Sequence, residues 1–182
     1  MHNKPNIYYF INNFNSDEIN NLSINISLIY RNYDDKLNIN IIKKIRNICF
    51  KQKRKFYISN NLKVAKSLKL DGVYIPSFNT LCNFKNLNTH KKFKIIGSAH
   101  NKIQLLIKQN QGCVEVFIAP IFKTKKSKFF LDISRFNLLS NSSDLRIIAL
   151  GGINLSNFNK LRTVLCYGFA GISWIKKTGL IN

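Results

Sequence analysis

Short apolar runs of strand length alternate along the chain with segments in which apolar residues recur every three or four positions. Three such segments predict amphipathic helices, at 37–49, 102–109 and 155–167. Buried strands that alternate with amphipathic helices usually pair in parallel, with the helices outside. The eight runs predicted to be strands are 7–11, 24–30, 56–58, 72–75, 93–96, 114–118, 146–150 and 169–173.

Eight strand–helix repeats favour an α/β fold, a (β/α)₈ barrel of the TIM type, formed by one domain over 1–182. The chain has 182 residues, and the usual lower bound for this fold is about 200. We therefore expect a shortened barrel with reduced helices after strand 1, at 12–23, and after strand 4, at 76–90. A doubly wound open sheet is the alternative, but its glycine-rich turn would follow the first strand.

A glycine pair ends the seventh predicted strand, where Ile147–Leu150 runs into Gly151 and Gly152. Glycines let backbone N–H groups approach an anion closely, although such a pair can equally be only a tight turn. Barrels commonly bind phosphate with the loops after strands 7 and 8, which favours a phosphate site here. Asn154 is placed to begin the helix at 155–167. We expect a side chain at Gly152 to block the anion and to leave the fold intact.

The chain is strongly basic, with 29 Lys and Arg against 8 Asp and Glu and a formal net charge of +21. Such charge can bind nucleic acid, but no nucleic-acid motif accompanies it, so we consider that partner unlikely. We interpret the lysines as a solvated surface because they are scattered, at Lys43, Lys53, Lys66, Lys92, Lys108, Lys125 and Lys160.

Cysteines and histidines show no metal-ligand spacing, and no metal site is predicted from them. No apolar run reaches the roughly 18 residues that a membrane span needs, so we expect a cytoplasmic protein without a membrane partner.

Seven blocks carry a family pattern in order and spacing: 28–31, 58–65, 71–75, 96–100, 120–124, 149–153 and 168–175. Together they resemble the thiamine-phosphate synthase and TenI family of barrels. The resemblance implies an enzyme of thiamine biosynthesis that joins a pyrimidine methyl diphosphate to a thiazole phosphate. It implies Mg²⁺ as the cofactor if that synthase activity is retained, and a small phosphorylated thiamine precursor or product as the partner.

The resemblance also assigns the site. It implies that Arg31 and Ser98 are the catalytic residues: Arg31 matches the family's arginine at the diphosphate, and Ser98 matches the serine of its G-x-S-A-H block. The residues that it assigns to the phosphate ligand are Gly151, Gly152, Gly171, Ile175, Lys176, Thr124 and Lys126.

Two positions at which the family binds Mg²⁺ through aspartates are Asn60 and Asn79 in this chain. Mg²⁺ prefers anionic oxygen, so we interpret them as degenerate metal positions. Pro120 stands where the TenI branch has its histidine, and His100, the nearest alternative, is interpreted as structural. Two functions stay open: a synthase or a variant of it, and a non-catalytic barrel of the TenI type that binds a phosphorylated ligand.

Overall fold

The computed structural model describes residues 5–33, 37–80, 84, 92–125 and 127–178, with side chains through Ile175. Eight strands form a closed barrel in which each pairs in parallel with the next and the last pairs with the first. The prediction of a TIM-type barrel is confirmed. The strands are β1 Asn6–Ile11, β2 Ile26–Tyr30, β3 Phe56–Ser59, β4 Gly72–Ile75, β5 Lys94–Ala99, β6 Glu115–Ile118, β7 Arg146–Leu150 and β8 Gly168–Gly171.

Helices lie between most of the strands, and four of them are capped by an asparagine whose side chain accepts a backbone N–H of the first turn. No described helix is long and apolar enough to cross a membrane. The helices are α1 Ser16–Asn20, α2 Ile39–Lys51, α3 Leu62–Ser67, α4 Lys102–Asn110, α5 Asp132–Asn141 and α6 Ser173–Thr178, with a 3₁₀ helix at Phe158–Thr163.

Reduced helices were predicted after strands 1 and 4, and the structure tests the first of these two places. The helix after β1 is only the five-residue α1, which confirms that prediction. After β4, residues 76–80 contain no helix, and 81–83 and 85–91 lie outside the described residues, so the rest of that prediction stays open.

Several predictions about elements were wrong. The fifth strand was predicted to end at residue 96 and ends at Ala99. The helix expected at 155–167 is a 3₁₀ helix of six residues at Phe158–Thr163. The eighth strand ends at Gly171 and not at residue 173, because Ser173 already begins α6. Helix α3 was not predicted at all, since its six residues are too few to show a helical period.

Along each strand, side chains that point outward to the helices alternate with side chains that point inward, and the inward ones fill the barrel. Large aromatic rings dominate this inner cluster, and each ring of Phe10, Tyr74 and Phe117 meets the other two edge-on at 5.3–5.8 Å between centroids. Edge-to-face contacts of this kind are favourable beyond the area that they bury. The interior is therefore a packed core, and a ligand site has to lie at the rim.

The amino-terminal end of the barrel is closed by a polar cluster. Fully buried Glu115 accepts hydrogen bonds from the Tyr8 hydroxyl at 2.5 Å and from the Asn6 amide at 3.3 Å, and it pairs with the Lys94 ammonium. Burial raises the pKa of Tyr8, and the neighbouring Tyr57 and the Glu115 carboxylate raise it further. Hence this polar cluster has a structural role in the barrel.

Candidate phosphate site at the barrel rim

The glycine pair after β7 has a left-handed backbone, with φ of +93° at Gly151 and +74° at Gly152. A Cβ atom on Gly152 would lie 2.5 Å from the Phe122 carbonyl oxygen and 2.6 Å from that of Lys123. No side chain fits there without moving that backbone. The expectation that a side chain at Gly152 would leave the fold intact is therefore wrong, because the position is occupied by the neighbouring loop.

Backbone hydrogen bonds join the loops after β6 and β7 beyond the ends of their strands. The N–H of Ile121 donates to the Leu150 carbonyl at 3.0 Å, and that of Phe122 donates to the Gly151 carbonyl at 3.1 Å. This pairing places the chain that leads to Thr124 directly beside the glycine pair.

The glycine loop has backbone donors to offer. Within the described residues, no hydrogen bond is donated by the N–H of Gly152 or Ile153. The other side of the loop is held firmly, because the Asn157 amide donates to the Gly152 carbonyl at 2.8 Å and its oxygen accepts the Asn154 N–H at 2.9 Å. A rigid loop with unused N–H groups is suited to bind an oxyanion.

Thr124, which was predicted to contact the phosphate, is half-buried in the adjoining loop. Its hydroxyl oxygen accepts the Ser127 N–H at 3.0 Å. Because the Thr124 oxygen is the acceptor in that bond, the hydroxyl proton is still available to donate to a ligand. Lys126, predicted for the same loop, lies outside the described residues.

Of the residues predicted at the end of β8 and beyond it, Ile175 and Lys176 lie in α6. Gly171 ends the strand, and Ile175 is fully buried, with its side chain within 3.2 Å of where a Gly171 Cβ would be. Ile175 can therefore offer only its backbone to a ligand. Lys176 belongs to α6, and its side chain is outside the described part of the chain.

Arg31 and Ser98 lie on inward-facing positions at the carboxyl ends of β2 and β5. The Arg31 guanidinium carbon stands 4.9 Å from the centroid of the Phe10 ring, on top of the inner core. Ser98 is 6% exposed, and its hydroxyl accepts the Tyr74 hydroxyl at 2.8 Å.

Tyr74 connects these two residues. Burial raises the pKa of Tyr74 to about 12, while Ser98 and the positive charge of Arg31 oppose the shift. The hydroxyl is therefore protonated at neutral pH and serves as a donor to Ser98. Tyr74 was not singled out from the sequence, because it looks like any aromatic residue in a buried strand.

Asn60 and Asn79 lie against each other. The Asn79 amide nitrogen donates to the Asn60 side-chain oxygen at 2.5 Å. Asn60 has a left-handed backbone, with φ of +56°, and its N–H donates to the Tyr74 carbonyl. The two positions that the family resemblance pairs in a metal site are thus brought together, but as an amide pair.

These residues do not fit Mg²⁺. The Asn60 oxygen is already bonded to an N–H group, neither side chain is anionic, and Mg²⁺ prefers carboxylate or phosphate oxygens. Among the described residues, no three His, Cys, Asp or Glu side chains lie together where they could hold a metal ion.

A buried lysine supports the loop that carries Asn79. Lys108 is completely buried, and its ammonium donates to the carbonyls of Pro76 and Asn79 at 2.7 Å each and to the Gln111 side chain at 2.9 Å. The interpretation of Lys108 as part of a solvated surface is therefore wrong. The sequence did contain a signal, because Lys108 follows buried Leu105 by three positions on the same face of α4.

His100 has a structural contact, as interpreted from the sequence. Its Nδ1 lies 2.6 Å from the Ala119 carbonyl oxygen, so Nδ1 carries the proton and donates it there. Ala119 is followed by Pro120, which has no group that could transfer a proton.

Comparison with known proteins agrees with this architecture. The family model described as thiamine monophosphate synthase matches residues 23–175. A thiamine-phosphate synthase from Pelagibacter ubique is 34% identical over 128 residues, which cover 65% of this chain and 58% of the relative. One from Prochlorococcus marinus is 30% identical over 144 residues, which cover 77% of this chain and 38% of the relative. The chain thus matches about two fifths to three fifths of the length of these relatives.

Solved structures show the same fold. A thiamine phosphate pyrophosphorylase from Pyrococcus furiosus superposes with a TM-score of 0.74 over 95% of this chain and 91% of that chain, at 15% identity. A thiamine phosphate pyrophosphorylase from Bacteroides thetaiotaomicron gives a TM-score of 0.63 over 96% and 85%, at 14% identity.

Proposed function

The chain belongs to the thiamine monophosphate synthase family, and from that premise we propose that it binds a small phosphorylated thiamine precursor or product at the barrel rim. Thiazole phosphate and thiamine phosphate are the two ligands that the proposal names. The phosphate would bind to the glycine loop after β7, with the ring system towards Arg31 and Ser98.

The observation that carries the proposal is the pair of unused N–H groups at Gly152 and Ile153 in a loop that is fixed from behind. Phosphate oxygens accept such donors, and the Thr124 hydroxyl beside the loop can supply another. Gly171 and Ile175 enter the proposal through the family resemblance, and the buried Ile175 side chain lies against Gly171.

Two activities are compatible with this ligand. Arg31 offers a permanent positive charge to a diphosphate, which favours the synthase reaction. The Asn60–Asn79 pair favours the other candidate, a non-catalytic barrel that binds the phosphorylated ligand, because charge stabilisation by a metal contributes several kcal/mol and these two residues do not provide for it.

Isothermal titration calorimetry with thiamine phosphate and with thiamine tests the binding proposal. We expect thiamine phosphate to bind and thiamine, which lacks the phosphate, to bind at least about tenfold more weakly, as a loss of about 1.4 kcal/mol would give. Equal affinity for both, or no binding of thiamine phosphate and thiazole phosphate, would contradict it.

Turnover separates the two activities. The pyrimidine methyl diphosphate and thiazole phosphate are incubated with the protein, and released diphosphate is measured. Release above background would establish the synthase, and binding without release would establish the non-catalytic barrel.

A further inference from the structure

We propose that Lys108 and Gln111 lock the loop after β4 so that Asn79 stays paired with Asn60, and that the site consequently binds its anionic ligand without a divalent cation. The ligand is the phosphate of the proposed function, on which this inference rests. Lys108 and Gln111 are positioning residues here, because they act through the loop and not on the ligand.

The Lys108 side chain is built into the protein over its whole length. A Cβ atom at Gly97 would lie 2.8 Å from Lys108 Cδ and 3.3 Å from its Cγ, so the missing side chain at Gly97 makes room for the lysine. The ammonium then uses all three of its donors on oxygens at 2.7–2.9 Å.

The turn that carries Asn79 is bonded at both ends. Its first carbonyl, that of Pro76, accepts from Lys108 and from the Asn79 N–H. Its last carbonyl, that of Asn79, accepts from Lys108 and from the Gln111 amide at 2.9 Å. Four hydrogen bonds thus hold a turn of four residues, Pro76–Asn79, which leaves the backbone of Asn79 little freedom.

The opposite side of the amide pair is equally fixed. The N–H of Asn60 bonds to the Tyr74 carbonyl at 2.8 Å, and the next residue, Asn61, caps α3 through the Val64 N–H at 2.9 Å. Because both backbones are held, the 2.5 Å bond between the side chains of Asn79 and Asn60 is a consequence of the local structure.

The charge of Lys108 also favours an anion over a divalent cation at this site. The three acceptors of Lys108 are neutral, so none of them offsets the positive charge that the ammonium carries at neutral pH. A dication at the amide pair would have to break the Asn60–Asn79 bond and approach that charge. An anion at the rim would be attracted by it, together with Arg31.

Calorimetry with thiamine phosphate in EDTA and in millimolar MgCl₂ tests the inference on the unmodified protein. We expect affinities that agree within about twofold, since a cation outside the site contributes only to screening. An increase of about tenfold or more with MgCl₂ would overturn it. Absence of binding in both buffers would contradict the proposed function. The inference would then be decided by whether the site itself binds a divalent cation.

Mn²⁺ is the probe for cation binding by the site, because the free ion gives an electron paramagnetic resonance signal. We expect the unmodified protein to leave the signal unchanged and the double variant Asn60→Asp, Asn79→Asp to reduce it, since two carboxylates recreate a hard-cation site. Binding of Mn²⁺ by the unmodified protein, lost in an Asn60→Ala variant, would overturn the inference.

Solvent exchange of the Asn79 side-chain amide protons, measured by NMR, tests the role of Lys108. In the unmodified protein we expect slow exchange of the bonded proton, and fast exchange would overturn the inference. In Lys108→Met, and more weakly in Gln111→Leu, exchange should accelerate by about fivefold or more, as the loss of one net hydrogen bond gives.

Lys102→Met is the matched control, since Lys102 is exposed on the same helix and touches neither the turn nor the amide pair. It should leave the exchange unchanged. Unchanged exchange in Lys108→Met and Gln111→Leu, with both variants folded, would show that the lysine does not position Asn79. If Lys108→Met does not fold, the comparison of Asn79 amide exchange between Gln111→Leu and the unmodified protein decides whether the turn is held as proposed.

Discussion

Single residues at the rim can affect both ligand binding and the packing of the loops, and Gly152 is the example. Gly152 was chosen from the sequence as a place where an anion approaches the backbone. The structure adds that its missing side chain admits the carbonyls of Phe122 and Lys123, so that two loops can lie together. The same glycine therefore determines the fold of the loop and the accessibility of its N–H groups.

Gly152→Ala should lower the free energy of unfolding by about 1–3 kcal/mol, because alanine is strained at positive φ and its Cβ has no space. Urea unfolding followed by circular dichroism measures the change. Gly171→Ala is the control, since there the tight contacts of the added atom, at 3.1–3.2 Å, are with the Ile175 side chain, and φ is not positive. Similar losses for both variants would contradict the explanation.

Lys108 gives a pH dependence with a defined sign. Burial lowers the pKa of Lys108 from its ordinary 10.5 to about 8. Between these two pH values the folded state has lost the proton that the unfolded chain keeps, so stability rises with pH there. Relative to Lys108→Met, the unmodified protein should gain stability from pH 8 to 10.5, by at most about 1.4 kcal/mol per pH unit.

Urea unfolding at several pH values measures that difference, because other titrating groups contribute equally to both proteins. A stability difference that stays constant or falls above pH 8 would show that Lys108 is not desolvated as the geometry implies.

At the scale of elements, the apolar pattern located all eight strands, and it gave two of them their observed bounds. Gly72–Ile75 and Arg146–Leu150 were predicted with their observed bounds, because a continuous apolar run in a parallel barrel strand is buried on both faces. The segment 155–167 was misjudged. Its apolar spacing suits an α-helix, but Asn154 and Asn157 use their side chains on the glycine loop, and the chain adopts a 3₁₀ helix.

Asn157→Ala should affect the site as well as the fold. It removes the bonds to the Gly152 carbonyl and from the Asn154 N–H, at a cost of about 1–2 kcal/mol in unfolding free energy, and it loosens the loop that binds the phosphate. We expect weaker binding of thiamine phosphate in calorimetry.

Asn61→Ala is the matched control for that loss. It removes the cap of α3, with a cost of about 1 kcal/mol, and leaves the glycine loop untouched. Its ligand affinity should stay near that of the unmodified protein. If both variants weaken binding equally, the effect comes from general destabilisation.

At the scale of the whole molecule, the barrel is closed and filled. The fold class followed from the alternation of elements, whereas the polar contacts of the rim did not. The Asn60–Asn79 pair and the Lys108 turn join residues that are 19 and 29 to 32 positions apart in the chain, and nothing in the local pattern indicates such contacts.

Phe117→Ala should be one of the most destabilising single changes in this barrel. The ring is fully buried and lies 5.0–5.8 Å, between centroids, from three aromatic rings of the inner cluster. A loss of about 3–5 kcal/mol is expected from the cavity and the lost contacts. Phe129→Ala is the control, since Phe129 is 88% exposed and should cost less than about 0.5 kcal/mol. Comparable losses in urea unfolding would refute the packed interior.

The central claim is that the backbone N–H groups of Gly152 and Ile153 receive the phosphate of the ligand. Titration of ¹⁵N-labelled protein with thiamine phosphate, and in parallel with thiamine, measures those two amide resonances directly. We predict that both amide protons shift downfield with thiamine phosphate and stay in place with thiamine. Resonances of Gly152 and Ile153 that do not move, while thiamine phosphate shifts a different part of the barrel, would contradict the claim.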